Sequence, residues 1–396
     1  MIKYLLTILW NDRRRFTGII LEQMLVFIVL LICVVSLNDM YQRYREPGLL
    51  DTDNVVEFGY VIPSMQTFTP MRHEINQALN ASLERMLQWD YVEGISESSS
   101  LVPYLRETYY RDSVIIAGKT YEAQSKTADR EAQLVFGIEM ECGEWLPATS
   151  DETQPAVISR QLAELTGLTD QELIGTTVRM RNSNRTYRIT GITAGIKSED
   201  VFAKPEPCII RPIAPFEKQT NATYRELCAR VKPGHVQEFC SASYRELKRQ
   251  LPYFDRMEVF NNSMDNLKTK IMFPVTSRLK MLAIPTIFLL IFAFIGTLGL
   301  LMLHVKKRTP EFGLHRAIGA SKRQQMQMMI LQSLLLTLVA SVPGLILSMF
   351  IFAVTLDHIL ATAVALAIML LFSLISSYYP ARKIASINPA EVLRQE

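Results

Sequence analysis

Residues 282–323 read LAIPTIFLLIFAFIGTLGLLMLHV followed by KKRTPEFGLHRAIGASKR. The first 24 residues carry no Asp, Glu, Lys or Arg, and as a helix rising 1.5 Å per residue they cover about 36 Å, enough for the ~30 Å hydrocarbon core of a bilayer. The second part is the reverse: a polar stretch with six Lys and Arg residues. Three further stretches, 17–37, 326–354 and 359–379, are long enough to span and nearly free of charge, with Glu22 the one charged residue in them. The chain is therefore predicted to be an α-helical membrane protein with four transmembrane helices. Between the first and second spans lies a segment of ordinary globular composition, 38–281, of a size for one large domain or two small ones.

Bulk composition would not have shown this. The 396 residues are 49% hydrophobic and 20% charged, values that soluble and membrane proteins share. A net charge of +3 excludes the strongly basic surface of a nucleic-acid binder. The first apolar run is too long for a signal peptide and lacks a small-residue cleavage site in Ser36-Leu37-Asn38-Asp39, so it reads as a retained span. Ahead of it, Ile2, Leu5, Leu6, Leu9 and Trp10 recur at helical spacing, which predicts an amphipathic helix over 1–16 that lies on membrane lipid and equally fits a frayed extension of the first span.

Lysine and arginine orient the spans. Arg13, Arg14 and Arg15 precede the first, the loop 306–325 carries Lys306, Lys307, Arg308, Arg316, Lys322 and Arg323, and the tail 380–396 carries Arg382, Lys383 and Arg394. The turn 355–358 has neither residue. Both termini and the loop are predicted to be cytoplasmic, and 38–281 extracytoplasmic.

That large segment reads as an α+β domain of two lobes. Thr69-Pro70 opens a helix with Met71, Ile75, Leu79, Leu83, Met86 and Leu87 on one face. Strands are predicted at 113–117, 155–158 and 226–231, with a hairpin pairing 177–181 to 185–189 through Asn182-Ser183-Asn184. Ser159 starts a short helix ended near Gly167, and Pro233-Gly234 turns into a helix with Val236, Cys240, Leu247 and Leu251 inward. Cys142, Cys208, Cys228 and Cys240 fall in this domain, where disulfides in any of three connectivities are open. For the nearest pair the alternation opposes a bond: Cys228 points away from Leu227, Ala229 and Val231, whereas Cys240 faces inward.

No catalytic, cofactor-binding or metal-ligating set is encoded. Gly118-Lys119-Thr120 has Ser113 where a phosphate-binding loop needs its first glycine, so it reads as a turn between strands. His73, His235, His304, His315 and His358 are scattered without ligand spacing, and no nucleophile elbow occurs. Glu22, in the first span, lies within two turns of its predicted cytoplasmic end and reads as an interfacial or helix-pair residue rather than a transport site. In the third span Ala340, Gly344 and Ser348, and also Ser333, Thr337 and Ser341, repeat every four residues, a spacing that lets helices pack closely within the bundle or in a dimer.

The loop carries paired start and stop signals. Thr309 can cap a helix beginning at Pro310, Glu311 sits in its first turn, Gly319 suits a left-handed end, and Ser321 caps the third span. Here the sequence resembles the MacB/FtsX superfamily of ABC permeases, whose loop typically reads Glu-Ile-Gly-Leu-Arg-Arg-Ala-Leu-Gly-Ala-Ser. Glu311, Gly313, Leu314, Arg316, Ala317, Gly319, Ala320 and Ser321 match it, while Phe312 and His315 depart from it. The tail matches through Pro380, Ala381, Arg382, Ala385, Pro389, Glu391, Leu393, Arg394 and Glu396, with Val392 a departure, and Phe136 to Trp145, Pro155 to Ser159 and Ile189 to Ile192 resemble the family's periplasmic core domain.

The resemblance implies a non-enzymatic permease subunit in a bacterial inner membrane, working for export as a homodimer or with a similar permease. ATP would be bound by an ABC ATPase on a separate chain that meets Glu311, Gly313, Leu314, Arg316 and Gly319. A periplasmic adaptor and an outer-membrane channel are further partners the resemblance implies. The alternatives within the family are a signalling device that activates an outer partner without transport, and lipoprotein extraction.

Overall fold

The computed structural model describes residues 13–61, 72–105, 110–148, 153–213, 226–252, 255, 257–352 and 355–385. In chain order its elements are α1 (Arg13–Arg45), β1 (Val55–Val61), α2 (Arg72–Met86), β2 (Val92–Ser99), β3 (Arg111–Ile116), β4 (Lys119–Ala128), α3 (Ala132–Phe136), β5 (Met140–Gly143) and β6 (Gln154–Ser159). There follow α4 (Arg160–Thr166), α5 (Asp170–Leu173), β7 (Thr177–Met180), β8 (Thr186–Thr193), β9 (Cys208–Pro212), β10 (Glu226–Val231), α6 (Val236–Gln250) and β11 (Glu258–Ser263). The last four helices are α7 (Met264–Lys307), α8 (Thr309–Ala317), α9 (Lys322–Ile351) and α10 (Leu356–Ala385). Residues 1–42 with 276–396 form one compact unit and 43–275 the other, with α1 and α7 shared between them.

The β-rich unit has two lobes. The first runs β1-α2-β2, then β10-α6-β11, with an all-antiparallel strand order β11-β1-β10-β2. This is the ferredoxin-like split βαβ arrangement. Both sheet faces are covered, which is why its strands alternate poorly in hydrophobicity. Val56, Phe58, Leu227 and Ala229 meet Ile75, Leu79, Phe239 and Leu247 of α2 and α6 in one core, while Val55 and Cys228 turn to a second core with α3 and Met264. Cys228 and Cys240 thus belong to different sides of the sheet, as the alternation indicated, and all five cysteines are free.

The second lobe, β3 through β9, is inserted between β2 and β10 and closes on itself. The ring runs β4-β3-β7-β8-β6-β9 and returns through a parallel β9–β4 pairing, giving a six-stranded barrel. Val114, Ile116, Ile158, Leu162, Val178, Tyr187, Ile189 and Ile209 fill it. The predicted hairpin is β7–β8, with Thr177 opposite Arg188 and Arg179 opposite Thr186. Ala117 and Gly118 both have positive φ between β3 and β4, as a two-residue hairpin turn requires, so the Gly-Lys sequence is a tight turn. Ser159 accepts from the Leu162 amide to start α4, and Gly167 ends it in the left-handed region at φ 70°.

Several boundaries differ from those predicted. The Thr69-Pro70 cap and the segment 1–12 lie outside the described residues. Leu87 falls beyond α2 and is exposed, and the inward face of α6 centres on Phe239, Ser243 and Leu247 rather than on Val236 and Cys240. The helix of the first span continues past residue 37 to Arg45, and that of the second begins at Met264, not Leu282. Hydropathy marks where the solvent changes from lipid to water; a helix has no reason to stop there. The fourth helix starts at Leu356 and runs through Pro380 to Ala385, into the segment predicted as tail.

Among the described residues, four helices are long and apolar enough to cross a membrane, and the other unit is built from them: α1, α7, α9 and α10. Polar side chains pair inside it. Thr337 Oγ1 donates to Gln23 Oε1 at 3.0 Å between α9 and α1, and the Ser333 and Ser373 hydroxyls meet at 2.9 Å between α9 and α10. In a low-dielectric interior such bonds replace those water would supply.

Candidate coupling site

At the end of α7 the Thr309 hydroxyl donates to the Val305 carbonyl at 2.9 Å. Thr309 is therefore not the cap of the next helix, as predicted, but its first residue; its hydroxyl closes the last turn of α7. Arg308 takes the cap position, and Pro310 sits in the first turn, where a missing N–H costs nothing. Arg308 Nε reaches Glu311 Oε2 at 2.7 Å, and its guanidinium carbon lies 5.7 Å from the centre of the Phe312 ring. At the far end the Ile318 amide donates to Leu314 O and the Gly319 amide to Arg316 O. Gly319 has φ +105° with open space where a Cβ would be, so backbone conformation, not crowding, calls for glycine. Ser321 and Gln324 then form the predicted capping box of α9.

Phe312 decides how this nine-residue helix sits. It is buried with Leu301 and Val305 of α7, Met329 of α9, and Ala381 and Ile384 of α10, so one ring joins α8 to the ends of three spans. Beside it Gln325 Nε2 donates to the Phe312 carbonyl at 2.8 Å, and both groups are buried. Gly313 is buried too. The opposite face is exposed and apolar: Leu314 is 53% and Ile318 76% accessible. Around it Lys306, Lys307, Lys322, Arg323, Arg382 and Lys383 are all exposed. The product is a short rigid helix, pinned on one side, presenting two apolar side chains within a basic surround.

The residues predicted for coupling are thus divided by the fold. Glu311 faces solvent paired with Arg308, Leu314 points outward, Arg316 is half-buried, Gly313 lies inside and Gly319 is the exposed joint. Sequence reasoning missed Phe312, which appeared only as a departure from the common pattern, and Gln325, one polar residue among several at the start of a span. Ala340, Gly344 and Ser348 are buried within the chain itself; a Cβ on Gly344 would come 2.7 Å from Phe27 Cδ1 of α1. At Gly344 the stripe meets α1, the packing within the bundle that its spacing allows. Glu22 lies over Gly296 of α7, a helix-pair contact.

The MacB-like periplasmic core domain model matches residues 25–239, more than half of the chain, and the FtsX-like permease C-terminal model matches 283–389. The chain belongs to the MacB/FtsX-type ABC permeases. Among curated relatives, the macrolide export ATP-binding/permease protein MacB 1 of Yersinia pestis bv. Antiqua is 23% identical over 283 residues, 66% of this chain and 42% of that protein. Its counterpart in Campylobacter jejuni is 25% identical over 219 residues, 51% of this chain and 33% of that protein. The matched region thus spans at most about two fifths of these relatives' length. A solved structure, the extracellular domain of a noncanonic ABC-type transporter YknZ from Gram-positive bacteria, aligns with 52% of this chain and 100% of its own at 14% identity, with a TM-score of 0.35. As a MacB/FtsX permease the chain contributes the transmembrane helices and the large extramembrane domain of an ABC transporter, and α8 falls within the residues matched by the FtsX-like permease C-terminal model.

Proposed function

We propose that this permease couples ATP hydrolysis on a separate ABC ATPase chain to motion of its extramembrane domain, for export. The ATPase docks on α8 at the cytoplasmic face, and two copies of the permease, or this one and a similar partner, face two ATPase subunits. The observation that carries this reading is the seating of Phe312 among α7, α9 and α10 while Leu314 and Ile318 face outward. A push on the outer face of α8 is delivered to three spans at once through one buried ring. Helix α7, whose end carries part of that pocket, is continuous over 44 residues. Orientation is supported by the basic residues around α8 and α10's end, against none in the turn 355–358.

The test is reconstitution of the full chain in proteoliposomes with the ATPase captured from its native membranes. ATP turnover stimulated by the permease, together with ATP-dependent movement of a compound out of the bilayer or lumen, is the expected result. Stimulated turnover without movement of any compound would transfer the reading to signalling, and failure to capture an ATPase would remove both.

A further inference from the structure

Beyond the Thr309 hydroxyl bond at its first residue, two attachments hold the body of α8 to the spans, and they differ in kind. The Phe312 ring sits in an apolar pocket, and such packing resists withdrawal but sets little direction, because apolar contact is non-directional. With Thr309 fastening only its first residue, and with Arg308 at φ −104° and Gly319 at φ +105° as its joints, a helix whose body is held by one ring can rock about that ring. The bond from Gln325 Nε2 to the Phe312 carbonyl is directional, buried and made to the main chain. A carbonyl has two lone pairs, so this bond adds to the helical ladder without displacing it.

We infer that Gln325 is a positioning residue for coupling: its carboxamide clasps the main chain of α8 to the head of α9, so that α8 and the spans move as one body. The carboxamide itself supplies a second argument. Gln325 is 4% exposed, and its Oε1 has no hydrogen-bond partner among the described residues. Burying an unpartnered acceptor is unfavourable, and a methionine would fill the same space without that cost. For packing alone, then, glutamine is a poor choice; what it adds is the donor that reaches Phe312. The position is well placed for the task. Gln325 lies in the first turn of α9, just after the Ser321 capping box, and its own amide donates to Ser321 O at 3.2 Å, so the backbone that carries the side chain is fixed.

This inference rests on the coupling role proposed for α8, and its test separates the two. Full-length chain in nanodiscs is compared with Gln325→Met, which keeps volume but removes the donor, and Gln325→Glu, which keeps shape but sets an acceptor against the carbonyl. Hydrogen exchange of residues 309–318 is expected to quicken by roughly five- to tenfold in the methionine variant, the equivalent of one buried hydrogen bond, and further in the glutamate variant. Exchange in the membrane parts of α7, α9 and α10 stays as in the unaltered protein. With the captured ATPase, both variants bind it as before, keep its KM for ATP, and stimulate its turnover less, in the order Gln, Met, Glu. A methionine variant with unchanged α8 exchange, or with faster exchange throughout the bundle, overturns the inference; the second result would make Gln325 a general stability residue. Faster exchange confined to α8 with no ATPase captured by the unaltered chain would leave the clasp standing and sink the coupling role instead.

Discussion

Gly344 of α9 lies directly under the ring of Phe27 of α1: a Cβ built on the glycine would stand 2.7 Å from Phe27 Cδ1 and 3.0 Å from Cε1, with Ile28 Cγ1 at 3.3 Å. The two backbones approach because one side chain is absent where the other is largest. Ala340 and Ser348, a turn to either side, are buried along the same stripe.

This contact makes Gly344→Ala destabilising, although alanine is the better helix former by ~1 kcal/mol. The added methyl group forces the Phe27 ring aside, an overpacking cost of about 1–3 kcal/mol. Thermal unfolding of the full chain in detergent should show a lower midpoint for Gly344→Ala and a loss smaller than the sum for Gly344→Ala combined with Phe27→Leu. Strict additivity of the two changes would mean that the contact does not bear on stability.

On the outer face of α8 the apolar pair outweighs the charges. Burying an aliphatic side chain contributes about 1.5–3 kcal/mol, whereas the exposed Glu311–Arg308 pair is of the kind that contributes ~1 kcal/mol at most. Leu314→Asp together with Ile318→Asp should therefore weaken capture of the ATPase at least about tenfold, while Glu311→Lys changes it little. Pull-down of the ATPase against permease concentration measures both. Equal capture by all three proteins would show that the partner does not dock on this face.

In the β-rich unit the Glu226 carboxylate accepts from the Ser98 hydroxyl at 2.8 Å and from the amides of Ser100, Leu101 and Val102 at 2.6, 3.1 and 3.1 Å. Burial raises its pKa; the bonds from Ser98 and the Val102 and Leu101 amides, and the Lys126 ammonium, pull the other way. Asp129 is likewise raised by burial. A raised carboxyl binds more protons folded than unfolded, so its contribution is fully present below the ordinary value of 4.5 and is lost as pH rises through the folded value. Local stability at 96–102 and 226–231, read by hydrogen exchange, should fall as pH rises through that window. Glu226→Ala should remove its share of the slope and destabilise the lobe by about 3–5 kcal/mol, because two buried amides and a half-buried one lose their acceptor. A slope that survives undiminished in the alanine variant would assign it to Asp129 and Glu57, which burial also raises.

Four spans, the α8 helix and the two-lobed α+β domain were legible in the sequence because each leaves a local signal. Charge-free runs report transfer into lipid, Pro310, Gly319 and Ser321 report helix ends, and Asn182-Ser183-Asn184 reports a hairpin. Where the spans end was not legible: α1 reaches Arg45 and α7 begins at Met264 because helical backbone persists after the solvent has changed. Barrel closure was hidden for another reason. It depends on β9 finding β4 across some 80 residues, and no local periodicity encodes which distant strand a strand will pair with. The same holds at the candidate site. Phe312 and Gln325 are 13 residues apart and belong to different helices, so their hydrogen bond exists only once α8 folds back onto α9. The sequence by itself determined which segments enter lipid, which way the basic ends are biased and, to within a residue at its start, where α8 lies, all consequences of short-range chemistry. Tertiary structure alone decided that Phe312 is an anchor, that Leu314 and Ile318 face outward and that Gly344 lies against Phe27 of α1, because which face of a helix is covered depends on what packs against it.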